Sequence, residues 1–107
     1  MNEKEISEAL RSKKIYPQQA VETRTQLAGL YAFYSEQLED ILMRYPATWE
    51  EIKKGKNTNT ETDRAYDSTP DGLNKVGLEM RLKRIEKMMS ALKSIIDNAN
   101  TERNHTK

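Results

Sequence analysis

Cysteine is missing altogether from this 107-residue chain, and histidine occurs once, as His105. Without thiols there are no disulfides, no thiolate metal sites and no cysteine nucleophile. A lone imidazole among the last residues, far from any serine on a rigid element, leaves no base for triad chemistry. Gly29, Gly55, Gly72 and Gly77 never cluster, so no phosphate-cradling loop is present. No apolar run approaches the roughly 18 residues of a membrane span. The opening Met1-Asn2-Glu3-Lys4-Glu5 lacks the basic-then-apolar order of a secretion signal. A cytoplasmic location is expected, and the sequon Asn104-His105-Thr106 reads as chance. Charge of one sign is scarce too: a net +1 argues against a strong polyelectrolyte for nucleic acid or membrane.

Carboxylates are plentiful but not arranged for chemistry. Glu39/Asp40 and Glu50/Glu51 are adjacent pairs that point different ways on a helix. Glu36 and Asp40 share a face at four-residue spacing, and a solvated surface accounts for them. No catalytic residue, metal site or cofactor is expected, and the chain is not read as an enzyme.

What the chain does contain is helical periodicity. Leu78, Leu82, Ile85, Met89, Leu92, Ile96 and Ala99 step by alternating fours and threes with every slot apolar. Such a run marks a long helix lying along a partner helix. Leu27, Tyr31, Tyr34, Leu38, Ile41 and Tyr45 repeat the pattern earlier in the chain, with Leu30 and Leu42 widening the stripe. Three of the five tyrosines occupy slots in this seam, where core packing is their main use. Their hydroxyls still need partners, and a hydroxyl-lined ligand pocket between helices is the weaker alternative.

Boundaries follow from caps and breakers. Asn2 and Glu5 have capping-box spacing and open a short helix over 3–13. Pro17 suits a first helical position, and Pro46 is expected to stop or kink the helix that spans 17–45. Thr48-Trp49-Glu50-Glu51 is a second capping box, opening a short helix over 48–54 that Gly55 ends. Residues 55–62 read as a mobile loop, and Asp63–Tyr66 as a single turn. Thr69-Pro70-Asp71 combines a cap, a first-position proline and an acid near the positive end of the helix dipole. The helix it opens runs over 70–98, with Glu79 and Lys83 as a favourable pair at four-residue spacing. Residues 100–107 have no apolar anchor and read as a disordered tail. The expected fold is all-α. Residues 1–99 form one helical domain, a long antiparallel hairpin with short N-terminal and connecting helices, assembling into a multi-helix bundle.

Some apolar residues fall off the seams. On a wheel of about 100° per residue, Phe33 and Met43 lie outside the first stripe. Leu73, Val76 and Met80 line a face opposite Leu78 and Leu82. One face per helix suffices for a hairpin, so a second face requires a second partner: the docked N-terminal helix, another copy of the chain, or a target protein. Charged residues are 33% and hydrophobic ones 36% of the chain, so the core is thin and self-association is the expected remedy. Charge is also divided, with about −4 on residues 17–52 and +2 on 70–99, which guides pairing between helices or between copies. The best nucleic-acid candidate is Arg81, Lys83, Arg84 and Lys87, but Glu79 and Glu86 dilute the field and no aromatic interleaves for stacking.

The segments Asp63-Arg64-Ala65-Tyr66 and Thr69-Pro70-Asp71-Gly72, followed by Glu86-Lys87-Met88-Met89-Ser90-Ala91-Leu92-Lys93-Ser94 on a long helix, resemble small uncharacterised helical proteins of tailed phages and mobile elements. That resemblance implies action by binding a host or phage protein, defence systems included, in the host cytoplasm. It carries over no functional residue. The expected function is a non-enzymatic protein–protein interaction module that self-associates, of phage-accessory or inhibitor type. The alternatives are a nucleic-acid-binding accessory factor and, more weakly, a bundle that sequesters a small ligand such as a nucleotide.

Overall fold

A computed structural model describes residues 2–105, with side chains through Thr101. Its four helices are α1 (Glu3–Arg11), α2 (Pro17–Lys53), α3 (Asn59–Asp67) and α4 (Pro70–His105), and the described residues form no strand. The long helices α2 and α4 pair as an antiparallel hairpin. Tyr34 meets Arg81, and ten residues further along α2, Arg44 meets Asp71, ten residues back along α4.

The chain divides into two compact units. One combines the residues up to Ala32 with those from Lys83 onward, and the other is Phe33–Leu82. In the first unit the core is Ile6, Ile15, Ala20, Thr23, Leu27, Ile85, Met88 and Leu92. Ile6 and Ile85 have no exposed surface, so α1 is docked. A nine-residue helix is marginal in water, and burial of this face is what holds it. Asn2 caps α1, its side chain accepting from the Glu5 N–H at 2.8 Å. At the other end Ser12 is the cap and Lys13 adopts a left-handed φ of 57°. The Lys13 N–H donates to the Leu10 carbonyl at 3.3 Å and the Lys14 N–H to the Ala9 carbonyl at 2.9 Å. This closure stops α1 at Arg11 rather than at residue 13 as the spacing predicts.

The second unit differs most from the sequence expectation. Pro46 neither stops nor visibly divides α2, which runs unbroken to Lys53 and absorbs the separate 48–54 helix. Proline removes the bond to the Leu42 carbonyl. Leu42 is exposed, so water can satisfy that oxygen. Beyond the proline, Trp49 and Ile52 are half-buried, and Trp49 Nε1 donates to the Asp63 carboxylate at 2.8 Å. That bond anchors the last turns of α2 to α3.

Residues 59–67 form α3 where the sequence reads as a loop and a single turn. Thr58 caps it, accepting from the Glu61 N–H at 3.1 Å, while the Glu61 carboxylate accepts from the Asn57 N–H at 3.1 Å. Thr62 and Tyr66 are its buried residues. At the next corner Thr69 Oγ1 donates to the Tyr66 carbonyl at 2.6 Å and accepts from the Gly72 N–H at 3.0 Å. The helix that follows extends to His105, so residues 100–105 are helical rather than a disordered tail. Propagation costs little once a helix is nucleated. Residues 106 and 107 of the expected tail lie outside the described residues.

Candidate interaction surface

The seam residues of both helices turn inward to different degrees. Leu27, Ile41, Leu82, Ile85 and Leu92 are buried. Tyr31, Tyr34, Leu38, Tyr45, Leu78, Met89 and Ile96 are half-buried. Met88 is buried as well. It lies three residues after Ile85 and four before Leu92, a spacing from which its burial was legible.

The tyrosines in the seam serve polar as well as apolar ends. In the first unit Tyr31 donates to Glu86 Oε1 at 2.7 Å, and that hydrogen bond, with the carboxylate charge, raises the phenol above its usual range. In the second unit Tyr34 lies under the Arg81 guanidinium, 4.5 Å from its ring centre. Tyr45 packs edge-on against Tyr66 with centroids 4.7 Å apart. Arg44 forks onto both Asp71 oxygens, at 3.1 and 3.2 Å, and this hydrogen bonding raises the guanidinium further. Glu79 pairs with Lys75 at 3.1 Å rather than with Lys83 as the spacing suggests. The Lys75 side chain is only 30% exposed, so its stem packs while its head reaches the carboxylate. The bond to Glu79 raises its pKa.

Each unit also holds a cleft. In the first, about 450 Å³ is lined by Ala28, Tyr31, Glu86, Met89 and Ser90. In the second, about 340 Å³ is lined by Leu42, Tyr45, Asp63, Tyr66, Asp67 and Lys75. Tyr66 is 2% exposed and its hydroxyl has no hydrogen-bond partner among the described residues. Burial pushes this phenol up, with Asp71 adding to it. Among the described residues no three metal-ligating side chains gather at one point.

The second apolar set behaves differently from the seams. Phe33, Met43, Leu73, Val76 and Met80 are all exposed, Met43 at 75% and Leu73 at 63%. All five belong to the Phe33–Leu82 unit. Leu42 is also exposed, but on the cleft side of α2 beside the seam, as the sequence places it. On α4 the residues Leu73, Val76 and Met80 follow three- and four-residue steps along an exposed face, with exposed Gly77 among them. A Cβ built on Gly77 would meet nothing within 4 Å.

Of the basic residues proposed for phosphate contact, Lys83, Arg84 and Lys87 are exposed on α4. Arg81 is engaged on the Tyr34 ring, which a sequence reading of charge alone does not show. Comparison with protein-family models, with curated proteins and with solved structures returns no match.

Proposed function

We propose that this chain is a non-enzymatic protein–protein interaction module that assembles through the Phe33–Leu82 unit. The observation that carries the reading is the set of large apolar side chains left in water off the seams on α2 and α4 of that unit: Phe33, Met43, Leu73, Val76 and Met80. Scattered exposed hydrophobics are ordinary, whereas a helical stripe of them is a surface for a partner. Self-association is the form this module takes. A phage-type accessory or host-defence inhibitor is its narrower version, supported by the resemblance of the α3–α4 segments alone. Exposed Lys83, Arg84 and Lys87 support the nucleic-acid alternative less well, because Arg81 is already occupied.

The test compares the wild-type chain with Met43→Glu/Leu73→Glu/Met80→Glu, in which circular dichroism should be unchanged because all three positions are exposed. Sedimentation is measured on the pure chain and after mixing with a lysate. The module reading expects a species heavier than 12.4 kDa for the wild type and its loss in the variant. A wild-type chain that stays at 12.4 kDa in both settings overturns it.

A further inference from the structure

The cleft of the Phe33–Leu82 unit is lined by groups that the interaction surface does not use. Asp63 and Asp67 stand on α3 four residues apart, and so on one face of that helix. Neither forms an ion pair among the described residues. Asp63 is steadied through one oxygen by Trp49 Nε1, at 2.8 Å. The other charges nearby are matched within the chain. Arg44 holds both oxygens of Asp71, and the Lys75 ammonium lies 3.1 Å from Glu79 Oε1. Lys75 feels the charge of Asp67 but bonds to Glu79, so its stem is what it gives to the cleft. The charge left uncompensated there is negative.

Hydration alone accounts for two acids, but not for Tyr66 beside them. This residue lines the cleft while almost wholly buried, and its hydroxyl has no hydrogen-bond partner among the described residues. The groups whose charge acts on that hydroxyl include Lys75 and Tyr45, which line the same cleft, and Asp71 and Arg44 beside them. The phenol end of the ring therefore lies on the cleft side of α3. Buried hydroxyls nearly always have a partner, and this oxygen is free to accept a donor brought from outside. The Tyr45 and Tyr66 rings meet edge to face at 4.7 Å, and aromatic faces attract cations too. Exposed Leu42 adds apolar contact.

We infer that the cleft bounded by Asp63, Asp67 and Tyr66 is a binding site for a primary ammonium group on an apolar stem. The ammonium donates to the two carboxylates and to the phenol oxygen, and the stem lies against Leu42, Tyr45 and the methylenes of Lys75. About 340 Å³ is at the small end of the ~300–1,000 Å³ of ligand sites, which suits a compact amine. A nucleotide brings phosphate, the wrong sign for Asp63 and Asp67. The site lies within one chain, so it stands or falls separately from the module reading, whatever mass the wild type shows in sedimentation.

Hexylammonium, hexanol and hexanoate share one stem and differ in charge, and each is titrated into the full chain while its amide NMR signals are followed. Hexylammonium should bind saturably in the millimolar range and move the signals of Tyr66, Asp67 and Lys75. It should bind about tenfold more tightly than hexanol, and hexanoate should not bind. Asp67→Asn should weaken hexylammonium about tenfold and Tyr66→Phe about threefold, the loss of a charge-assisted and of a neutral acceptor respectively. Both variants should keep the wild-type fold, because Asp67 is exposed and Tyr66→Phe removes only an unpaired atom. Acetyl-lysine methylamide separates two sources of the same group. Tighter binding than hexylammonium assigns the site to a lysine side chain of another protein, and weaker binding to a free amine. Hexanol binding as tightly as hexylammonium, signals that move only outside the cleft, or an affinity unchanged in either variant overturns the site.

Discussion

A β-carbon on Gly72 would run into the carbonyl oxygen of Tyr66 and lie 2.8 Å from the Cα of Asp67. The last turn of α3 and the first turn of α4 thus touch backbone to backbone, and only a residue without a side chain fits between them. Backbone cannot rotate away as a flexible side chain can. Gly72→Ala should therefore cost about 1–3 kcal/mol as an overpacked site, despite alanine's better helix propensity. Urea denaturation checks this, and an unchanged or improved midpoint contradicts the contact.

The hydroxyl of Tyr66 is buried without a hydrogen-bond partner among the described residues. Removing an unsatisfied polar atom costs little, so Tyr66→Phe should leave stability within about 1 kcal/mol of wild type at neutral pH. The pH dependence has a definite sign. Burial raises the Tyr66 phenol, and the bond to Glu86 the Tyr31 phenol, above the ordinary tyrosine value of 10.0. Each contributes stability that is complete below that pH and is lost as pH rises through the folded pKa. The denaturation midpoint of the wild type should be flat approaching pH 10 and fall beyond it. In Tyr66→Phe the fall should be shallower, with Tyr31 and Lys75, both raised by carboxylate partners, contributing to what is left. An identical alkaline slope in the two proteins would show that Tyr66 titrates as freely folded as unfolded.

Pro46 lies inside α2, where it denies the Leu42 carbonyl its helical partner. Pro46→Ala restores that bond and should raise stability by about 1–3 kcal/mol. The gain is tempered by the greater freedom of the unfolded chain. A higher urea midpoint with an unchanged slope is the expected result. A lower midpoint would mean that the proline fits a bend the alanine chain cannot keep.

The hairpin itself was legible in the sequence because burial imposes its period. Ile85 and Leu92, singled out by the four-three stepping, have no exposed surface. Local rules did less well where a tertiary contact overrides them. Proline reads as a stop, but the Trp49–Asp63 bond holds the turns beyond it in place. The segment 55–62 is so polar that it reads as a loop, although Thr58 and Glu61 stand at capping-box spacing and the signal for α3 was present. Glu79 has a lysine on either side at four residues, and spacing cannot say which one it takes. The exposed apolar set is the reverse case. Phe33, Met43, Leu73, Val76 and Met80 do not fit the seams, and the fold leaves all of them in water.

One oxygen governs the corner between α3 and α4. Thr69 Oγ1 is spent twice, as donor to the outgoing helix and acceptor from the incoming one, so the two helix ends share a single fastening. Lengthening or shortening the chain there by one residue would undo both ends together, and homologous chains should vary in the stretch before Thr58 well before they vary in length between Tyr66 and Gly72.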